Sequence, residues 1–448
     1  MALSFIGGLH IRGRKDARRS EIEKMPSPSV VTIPLSLNSE PAVSVGDAVL
    51  RGQLIGFAGG GRSYPTHSSV SGTVTAIKEK TTPNGEAEKY IVIQSDGLDA
   101  ISPDVQPQTK RISEMTTDEM IDIIFRAGIV GMGGGGYPTA QKVRAALGKA
   151  TRLIINGIEC EPYLTSNHRV MLENSAAIIN GTKILMKVLG IRQGEIAIAD
   201  NKLDAANALE RLAAGSELIK IRIFKTKYPQ GAERQIINAL TGKEIHVDKY
   251  PHDAGFVVFN VETCVAVYNA FAHGMPLIER VITVSGDCIK EPKNVMVPIG
   301  TSYAALIDFC GGFSKKPKRI ICGGPMMGVT QWDLQTSVTK TTTGVLAFSE
   351  EMESRYNNPP VCIRCGRCIR VCPMHLMPNY IAMFTVRGDY INADKHGALS
   401  CIECGSCAYI CPGQVPLVAN IRTAKTRILQ KRKAGRKSDG MSDGNAVQ

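Results

Sequence analysis

The sequence predicts a multidomain protein of mixed α/β and α+β class. Three observations predict it. Short alternating apolar runs fill residues 30–97, helix and strand signals alternate from about 112 to 260, and two cysteine runs near the C-terminus share one spacing. At 448 residues the chain has room for three or four domains. A composition of 43% hydrophobic and 21% charged residues is that of a globular protein, and 44 glycines point to many tight loops.

Each element has a local cause. The runs Val30–Leu35, Leu54–Phe57, Gly72–Ile77 and Lys89–Gln94 read as strands broken by Gly, Pro and Asn. A polar linker over 96–110 carries Pro103 and Pro107. Thr116 with Glu119 makes a capping box for a helix through Phe125. A glycine-rich loop follows, then a helix from about Thr139 to Leu147 and a strand at Arg152–Asn156. Residues 280–312 read as short strands and turns, and Trp332 as a packing residue. Toward the C-terminus the basic cluster Arg422, Lys425, Arg427, Lys431, Arg432, Lys433, Arg436 and Lys437 reads as a solvated, partly disordered tail, or as a foot for an anionic membrane surface or acidic partner.

The formal net charge is +12, but there is no nucleic-acid recognition motif and no interleaving of basic and aromatic residues, so nucleic acid is not an expected partner. No run of about 18 apolar residues predicts a transmembrane helix. Residues 1–19 lack the apolar core and cleavage site of a signal peptide, which predicts a cytoplasmic location. Thirteen cysteines in that compartment point to metal, not disulfides.

The cysteine runs are Cys362-Ile-Arg-Cys365-Gly-Arg-Cys368-Ile-Arg-Val-Cys372-Pro373 and Cys401-Ile-Glu-Cys404-Gly-Ser-Cys407-Ala-Tyr-Ile-Cys411-Pro412. A doubled C-x2-C-x2-C-x3-C-P is the arrangement that holds two [4Fe–4S] clusters in bacterial ferredoxins, the fourth cysteine of each run crossing to the other cluster. The expected sets are Cys362, Cys365, Cys368 and Cys411 for one cluster, and Cys401, Cys404, Cys407 and Cys372 for the other, with the fourth cysteine beginning a helix. A pair of zinc sites is the alternative, and a third cysteine at the same short spacing fits zinc badly. Cys264, Cys288, Cys310 and Cys322 lie among apolar residues and read as core thiols. His67 and His168 lack metal-ligand spacing and read as structural.

The loop Gly128-Ile-Val-Gly131-Met-Gly133-Gly134-Gly135-Gly136-Tyr137-Pro138-Thr139 can be forced onto GxGxxG, but it follows a predicted helix, whereas the dinucleotide fingerprint follows a strand. What stands is geometry: consecutive glycines leave backbone N–H groups open to a flat or anionic ligand, with a helix starting next. A flexible surface loop is the bland alternative.

Residues 43–55 and 65–74 together resemble the barrel-sandwich fold of biotinyl and lipoyl domains, but 57–64 offer Arg62 and no lysine to carry a cofactor, which favours a docking or structural role. The segment 131–142, GMGGGGYPTAQK, resembles the flavin-binding loop of the NADH-oxidising subunit of respiratory complex I. So, in order, do Asn156-Gly-Ile-Glu159-Cys-Glu161-Pro162, Tyr228-Pro-Gln-Gly231-Ala-Glu233 and Asn260-Val-Glu-Thr263. A fuller resemblance, covering nearly the whole chain, is to the C-subunit family of the Rnf complex, the ion-translocating NADH:ferredoxin oxidoreductase of bacteria. It is carried by Phe5-Ile-Gly7-Gly8-Leu-His10, residues 159–166 and 226–233, Gly323-Gly324-Pro325-Met326-Met327-Gly328, Val338-Thr339-Lys340 and the doubled cysteine run.

This resemblance implies a barrel-sandwich domain at 1–98, a Rossmann-like FMN/NADH domain at 112–260, a soluble-ligand-binding β-grasp domain at 261–348, a two-cluster ferredoxin-like domain at 349–425 and a tail at 426–448. It implies FMN, NAD(H) and two [4Fe–4S] clusters as cofactors. Gly133, Gly134, Gly135, Gly136 and Lys142 would cradle FMN, with Asn156 and Asn260 on its polar edges and Tyr137 stacking on a ring. Glu159, Glu161, Tyr228, Glu233 and Thr263 complete the implied nucleotide site. Ile158 and Ala232 replace acidic residues of the complex I pattern, so individual contacts need not carry over. The implied activity passes electrons between NADH and ferredoxin, coupled to Na⁺ or H⁺ movement by integral membrane subunits, from the cytoplasmic side of the cell membrane. The rivals are a soluble flavin and iron–sulfur reductase of the cobalamin-reductase kind, and a non-enzymatic iron–sulfur adaptor.

Overall fold

The structure, a computed structural model, describes residues 2–81, 87–214, 218–350 and 359–438. Near the N-terminus two small sheets face each other. One orders β2 (Val30–Pro34), β8 (Ala87–Ser95), β7 (Gly72–Thr81) and β4 (Ala48–Val49), and the other β3 (Glu40–Pro41), β5 (Leu54–Phe57) and β6 (Thr66–His67). Period-two alternation turns Val31, Ile33, Val74, Ile91 and Ile93 inward, all essentially buried. Ahead of these sheets, residues 2–25 form a strap over other parts of the molecule. Leu3 bridges Phe224, Leu9 bridges Tyr228, and β1 (Ile22–Lys24) pairs in parallel with β14 (Lys293–Pro298).

The next layer is a four-stranded parallel sheet ordered β11 (Ile219–Phe224), β10 (Gly194–Ala199), β9 (Arg152–Asn156) and β12 (Phe256–Asn260). Strands β9, β10 and β12 are buried along most of their length, as a sheet between two helical layers requires, while the edge strand β11 carries Lys220 and Arg222. Leu153, Ile155, Val257 and Phe259 pack with α1 (Thr117–Arg126), α2 (Thr139–Ala146), α4 (Ser175–Leu189), α5 (Leu203–Ala213) and α7 (Val261–Ala272). Ile154, Val258 and Phe256 face α6 (Glu233–Thr241). In chain order the strands run 3-2-1-4, so the connection reverses between β9 and β12. A crevice opens at such a point, beyond the carboxyl ends of the strands. Asn156 and Asn260, paired in register, end these two strands. Helix α7 packs on α4 and β9. It therefore belongs to this layer, although the sequence reading starts the next domain at 261.

A six-stranded mixed sheet follows, ordered β1, β14, β13 (Glu279–Ser285), β17 (Gly344–Phe348), β15 (Arg319–Cys322) and β16 (Val329–Gln331). Helix α3 (Ser166–Glu173) touches it from the parallel layer. Helix α8 (Tyr303–Phe309), capped by Ser302, lies where only strands and turns were expected. Trp332, expected to pack, is 92% exposed. It follows β16, the edge strand, where no second layer covers it.

The cysteine region holds α9 (Arg367–Arg370), α10 (Pro378–Val386), α11 (Tyr390–Lys395), α12 (Ser406–Ile410) and α13 (Leu417–Ser438). The expected disordered tail is a helix as far as Ser438, and 439–448 lie outside the described residues. Leu417, Ile421, Ala424 and Ile428 form a buried stripe at helical spacing, which holds α13 onto α10 and α11. Part of its charge is paired within the chain: Arg422 and Lys425 on Glu403, and Arg432 on Asp394.

One buried ion pair joins the layers. Arg280 on β13 donates to the Glu262 carboxylate on α7 at 2.7 Å, and Glu262 also accepts from the Val281 amide at 2.7 Å. Both side chains are nearly inaccessible, at 1% and 6%. Burial pushes the Glu262 carboxyl up against the pull of Arg280. Arg280→Met should leave Glu262 buried without a counterion and cost roughly 3–5 kcal/mol. That is measurable as a lowered thermal midpoint, and adding Glu262→Leu should recover part of it. An unchanged midpoint in the single variant would exclude a structural role for the pair.

Candidate nucleotide crevice and iron–sulfur centres

The glycine-rich loop follows α1 and precedes α2, so it is a helix–loop–helix segment and not a dinucleotide fingerprint. The Gly131 amide donates to the Tyr137 carbonyl and the Gly136 amide to the Gly131 carbonyl, closing the loop on itself. The Met132 amide donates to Thr263 Oγ1 at 3.0 Å, and Arg280 donates to the Met132 carbonyl at 3.0 Å. This pins the loop to the start of α7, at the reversal between β9 and β12. Gly133, Gly134 and Gly135 are exposed, and no hydrogen bond from their amides is found among the described residues.

The absence of side chains leaves a cradle. A Cβ on Gly133 would stand 3.5 Å from the Asn260 amide, one on Gly135 would meet nothing, and one on Gly136 would strike Thr341 Cγ2 at 2.6 Å. Gly134 and Gly136 have φ of +102° and +62°, values that glycine adopts without strain. Lys142, one turn into α2, is held by Glu233 at 2.8 Å.

The implied polar groups divide into two sets. Asn156 donates to the Gly231 carbonyl and accepts from the Ile158 amide, and Asn260 caps α7 by accepting from the Glu262 amide. Each spends about half of its amide's hydrogen-bonding capacity on shaping the crevice. Glu159, Glu161 and Tyr228 have partners elsewhere. Glu159 is buried and accepts from the Asn167 amide at 2.9 Å. Glu161 accepts from the Met326 and Met327 amides, both at 3.0 Å. Burial pushes the Glu161 carboxyl up to about 7, although those amides and Lys15 pull it down. Tyr228 is 2% exposed and its hydroxyl donates to the Cys404 carbonyl at 2.6 Å. Lys15, from the strap, donates to the carbonyls of Glu159, Glu161 and Leu164.

The eight cysteines fall into two groups of four. Cys362, Cys365, Cys368 and Cys411 line one cavity, and Cys372, Cys401, Cys404 and Cys407 another. In each set the sulfurs surround a volume. That donor set suits a four-iron cluster better than zinc. The duplication extends to the backbone: Arg364 and Glu403 both have φ +55°, and His375 and Gln414 have +53° and +52°. One expectation is corrected. The fourth cysteine of each run does not begin a helix, because Cys372 and Cys411 follow the ends of α9 and α12, and it is the third, Cys368 or Cys407, that is helical. Burial pushes the Cys401 thiol up to about 11, so a thiolate there needs iron beside it.

The centres differ in setting. Cys404 and Cys407 are buried, and their loop meets the parallel layer through Tyr228, while the Cys372–Pro373 turn of the same cavity meets it through Gln235, which donates to the Pro373 carbonyl at 3.2 Å. Cys362 and Cys365 are exposed.

Known proteins match the chain segment by segment. The RnfC barrel sandwich hybrid domain family matches residues 3–98, the Nuo51 FMN-binding domain 124–269, the SLBB domain 281–330 and the 4Fe-4S dicluster domain 354–412. The chain is 40% identical to the C subunit of the Na(+)-translocating ferredoxin:NAD(+) oxidoreductase complex of Acetobacterium woodii, covering 96% of this chain and 98% of that one. It is also 40% identical to the proton-translocating counterpart of Clostridium ljungdahlii (88% and 87% covered) and 39% identical to the C subunit of the ion-translocating oxidoreductase complex of Rhodobacter capsulatus (96% and 84%). The chain belongs to the C-subunit family of ion-translocating oxidoreductase complexes. A crystal structure of an NAD+-reducing [NiFe]-hydrogenase shares the fold, with TM-score 0.51 and 18% identity over 76% of this chain and 70% of that one. FMN and [4Fe–4S] clusters are the cofactors of the matched families, and the glycine cradle and the two four-cysteine cavities fit them.

Several residues at the site of this C-subunit family member escaped the sequence reading. Arg280, Thr341, Thr343 (its methyl 3.8 Å from where a Gly134 Cβ would stand) and Gln235 come from distant segments, and the quoted segments 226–233 and Val338-Thr339-Lys340 stop just short of the last three. His168 and Cys264 are buried, as expected of structural residues.

Glu161 generates a pH prediction. Its folded value, about 7, lies above that of an unfolded glutamate, so the folded chain binds the extra proton between about 4.5 and 7. The resulting stability is full below about 4.5 and is lost as pH rises through about 7. Glu161→Gln should flatten the fall in thermal midpoint across that window. An identical slope in the variant would exclude Glu161 as its source.

Proposed function

We propose that the chain is the peripheral redox subunit of a membrane-bound ion-translocating complex, exchanging electrons between NADH and single-electron carriers on the cytoplasmic side. One observation carries this reading: a glycine cradle at the reversal of a parallel sheet and two four-cysteine cavities lie in one chain, joined by the Tyr228 hydroxyl on the Cys404 carbonyl. Bound FMN supplies the exchange between two-electron and one-electron chemistry, and the clusters supply single-electron carriers. The residues do the positioning. Gly133, Gly134 and Gly135 offer backbone amides to the flavin, Gly136 leaves room for it, Lys142 and Glu233 flank it, and Tyr137 offers a ring face. Tyr228, Gln235 and the strap hold the Cys404 centre against the nucleotide layer.

No helix among the described residues is long and apolar enough to cross a membrane, and ion passage is assigned to the integral membrane subunits of the complex. The redox partner, ferredoxin or another subunit, meets the exposed Cys362 loop. Val361 and Ile363 are 60% and 63% exposed there, beside Arg364, Arg367 and Arg370, which have no ion pair among the described residues. In the equivalent second loop Glu403 is covered by α13 and paired with Arg422 and Lys425. An acidic partner face fits the first loop.

The reading is tested by anaerobic reconstitution with iron, sulfide and FMN, then NADH. About eight irons per chain, bleaching of the flavin band and reduced-cluster EPR signals are expected, with the NADH response lost in Gly134→Trp. Iron without any NADH response would replace this reading with the adaptor. In the same preparation Arg364→Glu with Arg367→Glu should slow electron delivery to an acidic ferredoxin roughly tenfold at low salt, with NADH bleaching of the flavin intact. Equal delivery rates would remove the partner assignment.

A further inference from the structure

The hairpin tip between β5 and β6 reaches the mouth of the nucleotide crevice. It runs Gly59-Gly60-Gly61-Arg62. The Gly61 carbonyl accepts from Gln141 on α2, and the Arg62 guanidinium lies over the Tyr137 ring, 5.3 Å from its centroid. Tyr137 directly follows the four glycines and is 36% exposed. The root of the tip is fixed to the base of the same loop, because Lys340 donates to the Pro65 carbonyl at 3.4 Å and to the Gly128 carbonyl at 2.7 Å. Gly59 is pressed so closely on the Asn38 carbonyl that a Cβ there would overlap it. The tip is therefore braced within its own domain at Gly59 and seated against the crevice through Gly61, Arg62 and Pro65.

The other cations at this loop are engaged. Lys142 is held by Glu233, Arg280 by Glu262, and Lys340 by two carbonyls. Arg62 is exposed and has no ion pair among the described residues. Stacking on an aromatic face orients a guanidinium and leaves its edge N–H groups free, the geometry that grips a phosphate through two parallel bonds.

We propose that the barrel-sandwich tip completes the nucleotide site from a second domain, with Arg62 binding the phosphate of a nucleotide seated on the glycine loop. The ligand class is a nucleotide phosphate ester, and two sources share that chemistry: the pyrophosphate of NADH and the 5′-phosphate of FMN. This inference rests on the proposed function, since it needs a nucleotide on that loop.

The test uses the full chain reconstituted with clusters, comparing wild type with Arg62→Ala and Arg62→Lys. FMN and riboflavin affinities are read from flavin fluorescence. NADH and reduced nicotinamide riboside, which has no phosphate, are compared as donors to a neutral quinone. Circular dichroism and iron content check that this exposed substitution leaves the fold intact. A loss of roughly tenfold confined to the phosphate-bearing molecule of one pair supports the proposal, with Arg62→Lys recovering part of it. A raised KM for NADH, with unchanged kcat and an unchanged value for the riboside, assigns the pyrophosphate. Weakened FMN with unchanged riboflavin assigns the flavin phosphate. Affinities within about twofold of wild type, or equal losses with and without phosphate, overturn it. A wild-type chain that binds no FMN and oxidises no NADH fails the proposed function first, and this inference falls with it.

Discussion

Arg280 and Glu262 hold the glycine-rich loop where a nucleotide can use it. A four-glycine loop has no side chains to pack and loses much conformational entropy on ordering. Its shape must be imposed from outside. Arg280 reaches from the six-stranded sheet to the Met132 and Lys340 carbonyls and to the Glu262 carboxylate at the start of α7. Thr263, one residue on, takes the Met132 amide. A buried charge pair is a costly way to join two layers, and its use here ties one loop conformation to the docking of three segments. With the loop set in this way, its open amides face the crevice.

The join between the nucleotide layer and the cysteine region is built from backbone carbonyls. Tyr228 donates to the carbonyl of Cys404, and Gln235 to that of Pro373. The Gly8 amide donates to the Val371 carbonyl. Such bonds position a cysteine loop without using its sulfurs, which stay available to iron. The strap adds Lys15, whose ammonium collects three carbonyls of the 159–164 segment, while burial lowers its affinity for a proton. The first 25 residues thus link the parallel sheet, the six-stranded sheet and the cysteine region.

The two cysteine loops repeat each other in sequence and in backbone angle, yet their surroundings differ. Arg364 and Glu403 occupy equivalent left-handed positions. Glu403 faces two cations of α13, while Arg364 faces solvent. A duplicated pair of sites has in this way become one site turned toward the nucleotide layer and one turned outward, through what packs on each loop.

Much of this was legible in the chain alone. Cysteine spacing is a local property, and it was enough to name the two groups of four cysteines that line the two cavities. The capping box at Thr116, the strand ending at Asn156 and the open glycine loop were legible for the same reason: their causes lie within a few residues. The tail was misread because its basic residues hid Ile428, the last of the stripe Leu417, Ile421, Ala424 and Ile428 that runs on from the cysteine region and packs α13 on α10 and α11. Trp332 was misread because exposure depends on which strand ends a sheet. Glu161 and Tyr228 carry a nucleotide-site motif, but the fold turns Glu161 to the Met326 and Met327 amides and Tyr228 to the Cys404 carbonyl. Short-range chemistry was set by sequence. Which groups meet across layers, and which cysteine loop faces outward, was decided only when distant segments packed, since burial and charge pairing belong to the assembled fold.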